Sequence, residues 1–116
     1  MSSKHAWLLL GLAASGMAAA QQTYPNRPIT LVIPFAPGGS TSIVGRTVAD
    51  KMSELLGQQI VIDNRGGAGG TIATRIAAQG VPDGYTLLCN SSQYAAAASL
   101  YKDPGYDPFR DFAPIV

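Results

Sequence analysis

Two glycine-rich turns carry the residue types in this sequence that are suited to holding an anion. The first, Gly38 to Ser42, reads Gly-Gly-Ser-Thr-Ser, and the second, Gly67 to Thr71, reads Gly-Ala-Gly-Gly-Thr. Each turn comes between an apolar run and an amphipathic segment, which predicts a passage from a strand into a helix. The first N–H groups of a helix have no partner within it and carry positive potential, so such a turn can bind an anion with backbone groups alone.

The nucleotide-binding motifs that use such turns do not fit this sequence. A P-loop requires a lysine after its last glycine, whereas Gly39 is followed by Ser40. The dinucleotide pattern G-x-G-x-x-G fails from Gly67, because Ile72 stands where its third glycine belongs. For each turn taken alone, helix capping by Ser or Thr, with glycines that permit the bend, explains the residues as well as a ligand site does.

The side chains needed for acid–base or nucleophilic catalysis are scarce. The one histidine, His5, lies in an amino-terminal segment that we predict to be removed, and Cys89 is the one cysteine. A single cysteine forms no internal disulfide, and its apolar neighbours predict a buried, inert thiol. No catalytic residue, metal site or cofactor is therefore predicted. The formal net charge of +1, without a basic run, gives no support for a nucleic-acid partner.

Residues 1–20 have the pattern of a secretory signal peptide. Lys4 and His5 precede an apolar run from Ala6 to Ala14, and small residues continue to Ala20. A positive region, a hydrophobic region and an A-x-A cleavage site follow in that order, so we expect export with cleavage after Ala20. A membrane anchor is the alternative, but the run is shorter than the ~20 residues of a spanning helix.

Strands and helices are predicted to alternate along the rest of the chain. The predicted strands are Ile29 to Ile33, Ile60 to Ile62 and Tyr85 to Cys89. The predicted helices run from about Ile43 to Gly57, from Thr71 to Gln79 and from Tyr94 to Leu100. Their predicted apolar faces comprise Ile43, Val44, Val48, Met52, Leu55 and Leu56 in the first helix, and Ile72 and Ile76 in the second. This alternation indicates an α/β fold of parallel βαβ units, in which ligands bind at the carboxyl ends of the strands.

The last residues of the sequence suggest that the alternation of strands and helices is incomplete. Residues 112–116 read as the opening of another apolar strand, with nothing after it. A three-stranded parallel sheet needs cover on both faces and buries little for its size. The sequence is therefore interpreted as an amino-terminal fragment of a longer protein.

Four segments, taken in order, resemble the extracytoplasmic solute receptors of tripartite tricarboxylate transporters, the Bug-type periplasmic binding proteins. They read YPNRPITLVIPFAPGGSTSIVGR, LGQQIVIDNRGGAGGTIA, PDGYTLL and YDPFRDFAPI, and they span nearly all of residues 24–116. The resemblance implies a periplasmic protein of the type II periplasmic-binding-protein fold, in which two α/β domains close over a small carboxylate for delivery to a membrane permease. Residues 21–116 would then be the amino-terminal part of solute-binding domain 1, with the second domain absent.

The resemblance also implies which residues contact the ligand. The family's first binding loop corresponds to Phe35 through Ser42 and its second to Gly67 through Thr71, and the turn after the third strand completes the wall. The expected ligand-binding residues are Phe35, Gly38, Gly39, Ser40, Thr41, Ser42, Gly67, Ala68, Gly69, Gly70, Thr71, Asn90, Ser91 and Ser92. Ser42 stands where the family usually has an acid, which weakens the case for ligands that rely on it, such as those with an amino group. Asn64 and Arg65 also resemble the family, although Arg65 is as well explained by a solvated loop charge.

Three functions fit the sequence. A transport receptor that binds and releases an unchanged carboxylate follows from the resemblance. A truncated, non-functional remnant of such a receptor is the second. The third is a secreted α/β hydrolytic enzyme with Ser40, Ser42, Ser91 or Ser92 as nucleophile. Such an enzyme would need a general base, and residues 21–116 contain no histidine to serve as one.

Overall fold

The computed structural model of the chain describes residues 22–116, and the predicted signal peptide, residues 1–20, lies outside the described residues. The elements are strand β1 (Ile29–Ile33), helix α1 (Ser40–Leu56), strand β2 (Ile60–Asn64), a 3-10 turn (Ala68–Gly70), helix α2 (Thr71–Ala78), strand β3 (Thr86–Leu88) and helix α3 (Gln93–Leu100). Strands and helices alternate as predicted, so the α/β fold class is confirmed. Within residues 22–116, no helix combines the length and apolar character needed to cross a membrane.

The three strands form one parallel sheet with β1 in the centre. The strand order is β2-β1-β3, and Leu31 of β1 lies opposite Ile62 on one side and Leu87 on the other. β1 is almost continuously apolar because a central parallel strand is covered on both faces. Helix α1 packs on β1 and β2, and α2 packs on β1 and β3. Right-handed crossovers that run in opposite directions across β1 place these two helices on opposite faces of the sheet.

The main core lies between α1 and one face of the sheet. Ile29, Leu31 and Ile33 of β1 pack there with Ala49 of α1 and with Ile60 of β2. Ile29 and Ile33 are fully buried. Alternate residues of a strand point to the same face, so this set follows directly from the extended backbone of β1.

Helix α1 ends where the sequence predicts. Gly57 adopts a φ of +64°, and its N–H donates to the Ser53 carbonyl at 3.1 Å. This left-handed conformation is the usual helix stop and favours glycine. The prediction of a helix end at Gly57 is confirmed.

The predicted apolar face of α1 is wrong. The residues that α1 buries are Ser42, Gly45 and Ala49, whereas the exposed residues are Ile43, Val44, Val48, Leu55 and Leu56. Met52 is half-buried against the core. Small residues face the sheet because the helix lies very close to it. A Cβ added at Gly45 would be 2.6 Å from Ile33 Cδ1.

Helix α2 departs from its predicted face in the same way. Its buried residues are Thr71, Ala73 and Thr74, while Ile72 and Ile76 are exposed. The Thr74 hydroxyl donates to the Gly70 carbonyl at 2.8 Å, which satisfies the polar group that this close packing buries.

The predicted strand opening at residues 112–116 is also wrong. These residues have no regular secondary structure, and Ile115 and Val116 are exposed. The Tyr106 ring instead stacks on Tyr94 of α3 with ring centroids 5.7 Å apart, and Phe112 meets both rings edge-on. Aromatic packing onto α3, rather than hydrogen bonding to a strand, therefore determines the path of this segment.

Candidate functional site

Three turns meet at the carboxyl edge of the sheet. Turn 1 (residues 34–39) follows β1, turn 2 (residues 65–70) follows β2, and turn 3 (residues 89–92) follows β3. Since all three strands are parallel, their carboxyl ends lie at the same edge. Every residue predicted to bind a ligand lies in one of these turns or at the start of the helix that follows turn 1 or turn 2.

A depression of about 240 Å³ lies between turn 1 and turn 3. Its lining residues are Phe35, Gly39, Ser40, Thr41, Ser91 and Gln93. Two turns that are far apart in the sequence thus form one concave surface. The lining combines one aromatic side chain with hydroxyl, amide and backbone groups, which is the chemistry of a small polar-ligand site.

The first turn of α1 supplies positive potential to this depression. Gly39 is the N-cap, in an extended conformation, and it makes no side-chain cap hydrogen bond. The first turn of α1 contains no acidic residue, and Ser40 is exposed. The first N–H groups of the helix lack intrahelical partners and carry the positive end of its dipole. An anion in the depression would therefore meet favourable potential and hydrogen-bond donors.

Ser42 lies behind the depression rather than in its wall. Its side chain is fully buried, and its Oγ accepts a hydrogen bond from Asn64 Nδ2 at 3.1 Å. Asn64 Nδ2 also donates to the Phe35 carbonyl at 3.1 Å. Ser42 therefore supports turn 1 from beneath, and its side chain does not line the depression.

Turn 3 contributes one wall of the depression. Ser91 lines it, whereas Asn90 Nδ2 donates to Thr74 Oγ1 at 3.2 Å and its Oδ1 accepts from the Ser91 N–H at 2.8 Å. Ser92 is exposed and is the N-cap of α3, without a side-chain cap bond. Asn90 therefore shapes the turn, and Ser91 faces the cavity.

Gln93 is a lining residue that the sequence reasoning missed. It is the first residue of α3, and the first turn of that helix holds no acidic residue. The available signal was its position directly after a polar turn and at the start of a helix. Its amide can both donate and accept hydrogen bonds.

Turn 2 does not line the depression. Gly67, Ala68 and Gly69 are exposed, whereas Gly70 and Thr71 are buried. The Thr71 hydroxyl donates to the Ala68 carbonyl at 2.8 Å. A Cβ added at Gly70 would lie 3.1 Å from Pro34 Cβ, so this turn packs closely against turn 1.

Reactive and metal-binding groups are sparse in residues 22–116. No group of three or more His, Cys, Asp or Glu side chains in this range could hold a metal ion. The Cys89 thiol is half-buried, and desolvation raises its pKa above the ordinary value. A raised pKa lowers the fraction of reactive thiolate.

Two solved structures similar to this chain are a periplasmic binding protein and a protein with bound malate. The periplasmic binding protein BugD is 49% identical, with a TM-score of 0.77 over 79% of this chain and 31% of BugD. MatC from Rhodopseudomonas palustris, solved with bound malate, is 41% identical, with a TM-score of 0.73 over 79% of this chain and 32% of MatC. The fold and its turn-lined edge therefore define a protein of the periplasmic-binding-protein class.

The sequence comparison specifies the family within that class. The family model for the tripartite tricarboxylate transporter family receptor matches residues 44–116. Protein BugT from Bordetella pertussis is 43% identical over 108 residues, which cover 90% of this chain and 33% of BugT. The chain belongs to the tripartite tricarboxylate transporter receptor family, as its sequence motifs implied. It spans about a third of the length of the curated relatives it matches.

Proposed function

We propose that this chain contributes the ligand-binding edge of a periplasmic receptor that captures a small organic carboxylate and delivers it to the permease of a tripartite tricarboxylate transporter. The observation that carries the proposal is the depression of about 240 Å³ that residues of the first turns of α1 and α3 line, with no acidic side chain in either turn. The malate bound by the related MatC supports a small carboxylate as the ligand class.

Neutral donors are proposed to recognise the carboxylate. The first backbone N–H groups of α1 and the hydroxyls of Ser40, Thr41 and Ser91 are the candidate donors, and the Gln93 amide is a further one. A hydrogen bond to a charged group contributes about 1.5–3 kcal/mol, and a helix amino terminus contributes about 0.3–1 kcal/mol. These interactions form and break without covalent change, so the ligand leaves as it entered.

A hydrolytic enzyme is the competing function, and the lining of the depression offers little for it. A serine nucleophile needs a base within hydrogen-bond reach. The lining residues include Ser40 and Ser91 but no histidine, lysine, aspartate or glutamate. The family is one of ligand-binding receptors. Reversible binding is therefore the proposed activity.

Export and domain organisation belong to the same proposal. Residues 1–20 would act as a cleaved signal peptide, because they carry the charged, apolar and small-residue regions in the required order. Residues 21–116 would form the amino-terminal part of the first binding domain. The periplasmic class of BugD, of which this chain covers 31%, supports this assignment.

Equilibrium titration with malate and with its uncharged diamide tests the proposal. Backbone and hydroxyl donors respond to the charge on the ligand oxygens, so malate should bind about tenfold or more tightly than the diamide. Because the depression is open to water, a dissociation constant in the millimolar range, about −4 kcal/mol, is expected from ligand-observed NMR. Equal affinities for the two compounds, or no malate binding at roughly 50 mM, well above that constant, would contradict the proposal.

A further inference from the structure

The side chain of Asn64 connects turn 1 to the first turn of α1. Asn64 is the last residue of β2 and lies beside Ile33, the last residue of β1. Its Nδ2 donates to the Phe35 carbonyl and to Ser42 Oγ, and each donor–acceptor distance is 3.1 Å. One amide therefore bonds a residue that follows β1 and a residue in the first turn of α1, with residues 36–41 between them.

These two hydrogen bonds matter because residues 36–39, which come before α1, make few other backbone hydrogen bonds. The Gly39 carbonyl accepts from the Ile43 N–H at 3.0 Å, as the first bond of the helix. Gly39, the N-cap of α1, has no side chain with which to cap the helix. A Cβ added at Gly38, at a φ of +90°, would have no heavy atom within 4 Å. The Gly39 N–H lies 3.5 Å from the Ala36 carbonyl oxygen, which is a long hydrogen bond. Glycines lose much conformational entropy when they are fixed, so tethers at both ends of such a turn have a large effect on its order.

Arg46 fixes the orientation of the Asn64 amide. Its Nη2 donates to Asn64 Oδ1 at 3.2 Å, so the amide oxygen is directed to Arg46 and the NH₂ group to turn 1. The reversed amide would place its NH₂ against the guanidinium and its oxygen against the Phe35 carbonyl oxygen. Both contacts are unfavourable, because donors would face donors and acceptors would face acceptors.

We propose that Asn64 is a positioning residue for the carboxylate site, and that it orders turn 1 and the first turn of α1 before a ligand binds. The inference rests on the proposed function. Ordering the turn in the free protein increases affinity, because binding then loses less conformational entropy. Asn64 itself does not line the depression, so its effect passes through Phe35 and Ser42.

The substitution Asn64→Ala tests this role without adding charge near the ligand. Asn26→Ala is the matched control, since Asn26 also uses both ends of its amide, bonding Gln22 and Tyr85, but precedes β1. Malate dissociation constants are measured at a temperature at which both variants are folded, so that a loss of stability alone does not change them. We expect Asn64→Ala to raise the constant about fivefold to tenfold, the range for one or two hydrogen bonds, and Asn26→Ala to leave it within about twofold.

Two further readouts separate positioning from general stability. Ser42→Ala removes one of the two acceptors, and the double variant Ser42→Ala/Asn64→Ala should bind malate no more weakly than Asn64→Ala alone. In the absence of ligand, the backbone amide resonances of Ala36 and of residues 38–41 should shift or broaden in Asn64→Ala and remain unchanged in Asn26→Ala.

An unchanged malate affinity in folded Asn64→Ala would overturn the proposal, whatever the resonances do. Additive losses in the double variant would also overturn it, because they would mean that Ser42 acts independently of Asn64. Failure of the unchanged chain to bind malate would instead contradict the proposed function. The ligand-free resonances alone would then decide whether Asn64 orders turn 1.

Discussion

Ser40 is a lining residue at which a change of charge should affect the candidate site. It is exposed, it begins α1, and it lines the depression. A carboxylate here would interact favourably with the helix dipole by about 0.3–1 kcal/mol. It would also repel a bound carboxylate, by roughly 3 kcal/mol for charges ~5 Å apart at an effective dielectric of ~20. The repulsion is the larger effect.

Ser40→Asp should therefore stabilise the ligand-free protein slightly and weaken malate binding. The expected loss is about tenfold or more once screening by salt is included. Ser40→Asn, a neutral side chain of the same size as Asp, is the control, and its affinity should stay within about threefold of the unchanged chain. Thermal unfolding and malate titration measure the two effects. Equal losses in both variants would show that charge at position 40 does not act on the ligand.

Asp107 provides a pH-dependent contact outside the candidate site. Its Oδ1 accepts hydrogen bonds from the N–H groups of Phe109 and Arg110 at 2.9 and 3.0 Å. These backbone hydrogen bonds hold the pKa of the Asp107 carboxyl below its ordinary value. Because the folded pKa is the lower one, the carboxylate stabilises the turn above the unfolded pKa of about 3.9. That contribution is lost as the pH falls through the folded pKa.

The amide resonances of Phe109 and Arg110 should consequently titrate with a midpoint below pH ~3.9. Asp107→Asn should abolish this titration, because the amide does not change charge in this range. NMR spectra recorded over an acid titration of both proteins make the comparison. A midpoint above the unfolded value, or the same titration in the variant, would be inconsistent with the hydrogen bonds described.

The sequence predicted most of the residues that line the depression, but it did not predict how far each predicted side chain is buried. Ser40, Thr41 and Ser91 line it, and the glycine-rich pattern with the family resemblance was sufficient to find them. Ser42 is fully buried although it is two residues from Ser40. The way α1 packs on the sheet determines which residue of its first turn is buried. A local sequence pattern does not indicate that packing.

For whole elements, the sequence predicted the positions of strands and helix ends better than it predicted which face of each helix is buried. The strand Ile29–Ile33 and the α1 end at Gly57 were predicted correctly, because buried strands and helix stops have local signatures. The buried faces of α1 and α2 were not, since both bury small residues. Close packing rather than hydrophobic periodicity determines those faces: α1 approaches the sheet at Gly45, and α2 buries Thr71, Ala73 and Thr74.

Close packing between turns 1 and 2 leads to a prediction for Gly70. A Cβ there would lie 3.1 Å from Pro34 Cβ at a φ of +85°, whereas Gly38, at a φ of +90°, has open space around it. Gly38→Ala should cost roughly 1–2 kcal/mol of unfolding free energy from the left-handed backbone alone. Gly70→Ala should cost about 1–3 kcal/mol more, because Pro34 is rigid and buried. Urea unfolding of both variants measures the difference, and equal costs would argue against a tight contact between the turns.

The whole molecule was predicted at the level of fold and family, because several weak motifs in a fixed order are specific together. The path of residues 101–116 was not predicted, since it depends on aromatic contacts between Tyr94, Tyr106 and Phe112 that join separate segments. Pairings of this kind follow from the folded arrangement and leave no periodic signal in the sequence.

Export is a prediction about the whole chain. If residues 1–20 are a signal peptide, the exported protein begins at Gln21, because the small residues before it form the cleavage site. Mass spectrometry of the periplasmic fraction after expression identifies the first residue. Exported protein that retains Met1 would contradict cleavage.

The central claim is that a carboxylate binds where turn 1 and turn 3 meet, and mapping of backbone amide shifts during a malate titration tests it most directly. The expected result is that the largest shifts fall on Ser40, Thr41, Ser91 and Gln93, with smaller shifts on Gly67 to Gly69, which lie outside the lining. The uncharged diamide should leave these resonances nearly in place, because the donors respond to charge. Shifts concentrated at the opposite edge of the sheet, around Asn26 and Asp83, or equal shifts from malate and the diamide, would contradict the claim.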